Sequence, residues 1–345
     1  MSETATIKPK YWNLSAYRLF ATLCVLLFHI FYLLLPYSVP HVVLLSKGVQ
    51  GLTALSGFLY SQKVITDHKK FYTKNIIKLI IPALLCVIFV ATLDLIYFLF
   101  GHIGNFQDYI SLFTSPLPAT GRLLTQFDNF YYLGFLLLCY LMLPILHKSW
   151  NDKSPWAIAI IGVLFIGELV LDYFLGWPTT IISFIIGFYI GKIFFNNYTN
   201  LEQKVGLPAT LVAVLMTFVS LAIHFIVFYL MPANKGRYLI SNFIQCIFGV
   251  GTAFLFAILF KKINKINNIP VFKFTDKICL YVYLLNQTFM VGATNLTQYI
   301  PIFAVACIVI YITTIVAASA LYLLDSLIMK GIANKKEKNS DPKPE

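Results

Sequence analysis

Charged side chains are scarce: Asp, Glu, Lys and Arg make up 12% of the 345 residues, about half the share of a soluble domain, and only 14 of them are acidic. That scarcity excludes a water-soluble globular domain, whose surface is built from such groups. The six cysteines (Cys24, Cys86, Cys139, Cys246, Cys279, Cys307) sit inside apolar stretches, without the spacing of a metal site or a disulfide framework. They read as small packing residues, and no metal is expected. No internal repeat is visible, which counts against many secondary-transporter folds built from repeated halves. A cleavage signal is missing too: the polar stretch Met1–Trp12 leads into an apolar run that is too long, and lacks the small-residue site, to be a removable leader. That run is expected to stay as the first membrane span.

Apolar residues supply what is left. They make up 59% of the chain, roughly 200 residues, and a helix needs about 20 to cross the hydrocarbon, so there is material for about ten spans. Ten runs fit, at 14–36, 43–62, 78–100, 129–146, 155–175, 178–197, 207–231, 238–260, 276–294 and 301–326. Lys47, Gly48, Gln50, Gly51, Thr53, Ser56 and Gly57 interrupt the second, which is therefore expected to be buried among other helices rather than facing lipid. The net charge of +12 comes from loops: 22 of the 26 Lys and Arg fall on one side of this topology and only Lys47, Arg122, Lys235 and Arg237 on the other. The positive-inside rule then places both termini in the cytoplasm and leaves no reason to invoke nucleic acid. The expectation is an all-α integral membrane protein of about ten transmembrane helices, one polytopic domain over 1–333 with a short charged, disordered cytoplasmic tail over 334–345. The longest outward loop, about 101–128, is too short for a catalytic domain but long enough for a lid or a substrate contact.

Ionisable groups within spans are costly and each needs a partner or a watery cavity. Arg18 and His29 share the first span. Eleven residues at about 100° each bring them within roughly 20° of the same helix face, about 16 Å apart along the axis, with Arg18 at the cytoplasmic boundary and His29 near mid-membrane. A neutral histidine can take a proton from a hydroxyl and return it later. Such a histidine can equally be a hydrogen-bonded packing residue, and the arginine a snorkelling one. Asp94, Glu168 and His224 fall in the outer halves of spans three, five and seven, where they either line an acceptor cavity or pair to hold helices together. Ser56 reads as a packing or hydrogen-bonding serine, because no base lies near it in the sequence.

The run Arg18-Leu-Phe-Ala-Thr-Leu-Cys-Val-Leu-Leu-Phe-His29 resembles the first-span signature of the acyltransferase-3 family, bacterial integral-membrane O-acyltransferases that modify surface glycans. Three further stretches are similar to that family in the right order: Gly48 to Ser56-Gly57-Phe58, the basic stretch Phe71 to Pro82, and Asn129-Phe-Tyr131-Tyr132 closing in Leu-Pro144. The resemblance covers about the first 150 residues. It implies a multi-pass protein of the bacterial cytoplasmic (inner) membrane and cell envelope, with acyl-coenzyme A, most simply acetyl-coenzyme A, as donor and no permanently bound cofactor. It implies carbohydrate as acceptor, so O-acetylation and polysaccharide modification. Arg18, Lys74 and Lys78 would hold the donor, and His29 would serve as general base, with Arg18 beside it in the catalytic set. Where the family carries two arginines before the proline this chain has Asn75 and Lys78, and lysine lacks the bidentate fork of arginine. Asn129 and Asn286 stand where relatives carry histidines. Asn129, Glu168, Asp94 and Ser56 are the remaining acceptor-side or structural candidates.

The resulting expectation is a membrane O-acyltransferase partnered by the bilayer, the donor and a carbohydrate. Relatives often carry an added extracytoplasmic hydrolase-like domain, for which this chain has no room; transfer is then direct or finished by a separate extracytoplasmic transferase or polysaccharide-assembly protein. The rival reading is a carrier or flippase for a glycolipid or small solute, with Arg18, His29, Glu168 and Asp94 as pathway residues.

Overall fold

The structure, a computed structural model, describes residues 15–34, 43–63, 65–101, 131–175, 179–197, 207–262, 270–290 and 294–340. Helix accounts for 89% of it, and no strand occurs among the described residues. The helices are α1 (Ser15–Leu34), α2 (Val43–Ser46), α3 (Gly48–Tyr60), α4 (His68–Leu99), α5 (Tyr131–Asn151), α6 (Pro155–Leu175), α7 (Thr180–Asn197), α8 (Leu207–Leu230), α9 (Lys235–Lys262), α10 (Pro270–Leu285) and α11 (Phe303–Ser340). Every apolar run read from the sequence overlaps a helix. Six of these, α4, α5, α6, α8, α9 and α11, are long and apolar enough to cross a membrane. Asn129 and nearly all of the 101–128 loop lie outside the described residues. The last helix continues to Ser340, through part of the stretch expected as a disordered tail.

Two of the shorter elements differ from uniform spans for identifiable reasons. The second run breaks at Lys47 into the single turn α2 and the 13-residue α3, which at 1.5 Å per residue reaches only about 20 Å. The ninth run stops as a helix at Leu285, where Asn286, Gln287 and Thr288 follow in succession and the chain turns through Met290. Polar side chains at such a point compete with the helical ladder for backbone partners.

The chain divides into two compact units that alternate along the sequence: Met1–Val25, Val39–Thr66 and Phe135–Asp276 form the first, and Leu26–Ser38, Asp67–Gly134 and Lys277–Glu345 the second. In the first unit α3 is the centre of packing, as its glycines and polar residues led us to expect. It contacts α7 and α9, and α9 in turn packs on α8. A Cβ on Gly187 would overlap the carbonyl oxygen of Ala54, one on Gly57 would overlap that of Phe184, and one on Gly249 would sit 2.6 Å from the carbonyl of Lys47. The helices therefore meet backbone to backbone, which is how membrane helices gain contact without a hydrophobic driving force. Ala54, Phe58, Ile182, Cys246, Val250 and Phe254 fill the space beside these crossings.

In the second unit α4 packs on α11. Tyr132 meets Tyr283 at a tilt with ring centroids 4.9 Å apart, and Tyr281 meets Tyr322 edge-on. Residues 281–290 are all buried, including the turn that ends α10.

Candidate functional site

His29 lies in the second half of α1, within the second unit. Its half-buried ring meets Phe28 edge-on at 5.0 Å between centroids. The side-chain amide nitrogen of Gln287 donates to its Nδ1 at 3.2 Å. Nε2 makes no hydrogen bond among the described residues.

Gln287 reaches His29 because α10 unwinds. The turn closes on Thr288 N–H to Leu285 O and Met290 N–H to Gln287 O, both 3.0 Å, and Leu296 N–H returns to Phe289 O at 3.1 Å. Gln287 is 2% exposed. Non-helical backbone at membrane depth is tolerated only when protein surrounds it or it lines a cavity, and broken helices of this kind bring polar groups to bound solutes. The same turn carries Asn286, also buried.

Arg18 sits in the first half of α1, in the first unit. Its Nη1 donates to both carboxylate oxygens of Asp276, at 2.8 and 3.1 Å. Among the described residues only one guanidinium nitrogen is used. Tyr60 lies within electrostatic reach of Arg18, hydrogen-bonds Tyr140 and carries the ammonium of Lys63 at 5.1 Å from its ring centroid. Lys74 and Lys78 stand one turn apart on the exposed side of α4, in the second unit, while the intervening Asn75 is buried and donates to Phe71 O at 3.0 Å.

Glu168, Asp172 and His224 are each hydrogen-bonded within the helices. Glu168 accepts from the backbone N–H of Ile181 at 2.8 Å with Oε1 and from that of Ile182 at 2.6 Å with Oε2. Helix α7 has no acidic residue in its own first turn, so Glu168 of α6 supplies both the acceptors and the negative charge its N-terminus favours. One turn on, Asp172 accepts from Asn242 Nδ2 at 2.8 Å and lies within electrostatic reach of buried Lys47. His224 Nδ1 meets Ser241 Oγ at 3.0 Å and Gln245 Nε2 at 3.2 Å, joining α8 to α9. Asp94 is fully buried on α4, in the second unit. Ser56 Oγ donates to the carbonyl of Leu52, one turn back in its own helix, at 3.0 Å.

The model of the acyltransferase-3 family, an acyltransferase domain, matches residues 11–323, nearly the whole chain. The chain belongs to the acyltransferase-3 family. No curated protein and no solved structure matches it. Family membership and the six long apolar helices together make it a multi-pass membrane acyltransferase. The matched stretch begins before α1 and ends within α11, so Arg18, His29, Asp276 and Gln287 all lie inside the family domain.

Sequence reasoning missed both partners of the first helix, Asp276 and Gln287, each 258 positions downstream of the residue it serves. One signal was available: Asp276 and Gln287 repeat the eleven-residue interval of Arg18 and His29.

Proposed function

We propose that this membrane acyltransferase is an O-acetyltransferase of the bacterial cytoplasmic membrane, moving an acyl group from acyl-coenzyme A to a hydroxyl of a cell-surface or lipid-linked carbohydrate. The observation that carries the reading is the His29 imidazole, held at Nδ1 by a buried amide and open at Nε2. A ring anchored at one nitrogen, with the other unbonded among the described residues, is placed to act as a base once Nδ1 carries the ring proton.

In this reading Nε2 takes the proton of the acceptor hydroxyl as its oxygen attacks the thioester carbonyl. The carbon–sulfur bond breaks as the tetrahedral centre collapses, the ester forms, and the imidazolium returns its proton to the coenzyme A thiolate. Arg18, beside Asp276 in the first unit, is the candidate for the donor's phosphates there, and Lys74 and Lys78 are the candidate point charges in the second unit. In this reading the protein crosses the membrane ten times with both termini in the cytoplasm, the six long helices being joined by α1, the broken pair α2 and α3, α7 and α10. The 22 to 4 division of basic residues supports that orientation. Acyl transfer is direct or is completed by a separate extracytoplasmic partner.

The test is acyl transfer by purified protein in lipid, with labelled acetyl-coenzyme A and a panel of bacterial surface-glycan precursors, for the native chain and His29→Ala. Label in a glycan that is lost with His29→Ala is the expected result. A folded sample that neither binds coenzyme A nor transfers label rejects the reading in favour of a carrier.

A further inference from the structure

We propose that Gln287 is the positioning residue of this transfer: its side-chain amide decides which nitrogen of His29 carries the proton, and rotation of that amide turns the imidazole from donor into base. The inference rests on the reading of His29 as the base and adds a residue that the sequence alone did not single out.

A neutral imidazole has one N–H and one lone pair. With the Gln287 amide nitrogen donating to Nδ1 at 3.2 Å, Nδ1 is the acceptor, and the ring proton therefore sits on Nε2, the open nitrogen. In that state His29 offers a hydrogen bond to an incoming group and cannot accept its proton. The carbonyl oxygen of the same amide, Oε1, is buried and has no hydrogen-bond partner among the described residues. A buried acceptor left unsatisfied is costly, and here it lies on the other branch of the very group that faces the histidine.

A half turn about the Cγ–Cδ bond of Gln287 exchanges oxygen and nitrogen, which are nearly equal in size, so no backbone movement is needed. Oε1 then accepts Nδ1–H, and the lone pair of Nε2 faces the reactant. The same orientation serves the next state, because once Nε2 has taken the proton both ring nitrogens are donors and Nδ1–H requires an acceptor. An amide nitrogen in that position would oppose it donor to donor. Both chemically competent states thus demand Oε1 toward the ring. The backbone that carries the amide is fixed by the turn bond from Met290 N–H to Gln287 O, and the residue is buried, so the amide rotation is the one freedom needed.

The experiment uses the full chain in lipid nanodiscs, labelled with 15N-histidine, with the His29 signals assigned by their loss in His29→Ala. Gln287→Glu supplies acceptor oxygens only, and Gln287→Met supplies neither donor nor acceptor. The tautomer of His29 is read from its two ring-nitrogen shifts, and transfer from the rate with labelled acetyl-coenzyme A. Gln287→Glu is expected to hold the proton on Nδ1 and to keep transfer within a few-fold of native. Gln287→Met, with no acceptor to hold Nδ1–H, is expected to leave the proton on Nε2 and to lower kcat by about 10-fold or more, with the donor KM unchanged within about two-fold, as for other bases left in the wrong tautomer. An identical tautomer distribution in the native, Gln287→Glu and Gln287→Met proteins overturns the proposal whatever the rates are. If Gln287→Met does not fold, Gln287→Glu decides alone, since a proton found on Nε2 beside a carboxylate contradicts it. Native-like transfer by His29→Ala would instead remove the base reading itself. Loss of transfer in His29→Ala, with a native tautomer and rate in Gln287→Met, removes only the role of Gln287.

Discussion

Replacing Glu168 with alanine separates a structural carboxylate from a substrate-binding one. Both oxygens of Glu168 are occupied by backbone N–H groups at the start of α7, Ile181 at 2.8 Å and Ile182 at 2.6 Å, and the side chain is 2% exposed. Alanine leaves those two donors buried without acceptors. Each is worth about 1–3 kcal/mol, so the loss comes to roughly 2–6 kcal/mol. Net stabilities of folded domains are about 5–15 kcal/mol, so the change takes a large part of the margin. Glu168→Gln keeps one oxygen as an acceptor and turns an amide NH2 toward the other N–H, and its cost should fall between the native protein and alanine. The assay is thermal unfolding in nanodiscs followed by size-exclusion chromatography, with acyl-transfer kinetics on the fraction that remains folded. The midpoint should fall in the order native, glutamine, alanine, while the surviving enzyme keeps its acceptor KM. An unchanged midpoint together with a raised acceptor KM in Glu168→Ala would refute the capping argument and return Glu168 to the acceptor site.

Three further outcomes follow from the same geometry. Gly187→Val should destabilise the first unit by at least about 1–3 kcal/mol, because the new Cβ meets the backbone oxygen of Ala54, which cannot rotate away; yield of monodisperse protein and unfolding midpoint check it. Ser56→Ala should leave transfer unchanged and cost no more than about 1 kcal/mol, since its Oγ serves only the carbonyl of Leu52, and any large loss of kcat would contradict that. Arg18→Lys should raise the KM for acetyl-coenzyme A several-fold with little change in unfolding midpoint, because its pair with Asp276 is partly exposed, 37% and 24%, and such pairs contribute about 1 kcal/mol or less. A lowered midpoint with an unchanged donor KM would instead make Arg18 a structural residue.

What the sequence made legible was whatever depends on uniform composition or on one helix. Helices α4, α6, α8 and α11 coincide with apolar runs because a span facing lipid has little freedom except to be apolar and helical. The burial of α3 was legible for the converse reason: a stretch carrying Gly48, Gln50, Gly51 and Gly57 has no stable place against lipid tails. The break in α10 was not read, although Asn286, Gln287 and Thr288 stand together in the ninth run. An average over the run hides three polar residues among apolar neighbours, and it is those three that end the helix. Glu168 was weighted toward function because a carboxylate in a span is costly. The alternative, that it meets the N-terminus of the next helix, required noticing that α7 brings no acid of its own.

The pairing of the first helix shows where local reading stops. Arg18 and His29 are conspicuous because they interrupt one apolar run at an interval that puts them on one face. Asp276 is hidden between the basic residues Lys273 and Lys277, and Gln287 carries no charge to draw attention. Nothing near either residue points 258 positions back along the chain. Arg18 meets a carboxylate and His29 an amide, and the chemistry of each pair differs accordingly. A carboxylate neutralises a permanent cation and leaves its spare N–H groups for a further anion, whereas a neutral amide can present either an oxygen or an N–H to a ring whose proton must change places. Exchanging the two partners would leave Arg18 without a counter-charge and set a carboxylate beside His29, so it is the assignment of partners, beyond their spacing, that keeps charge with charge at one level and a neutral pair at the other.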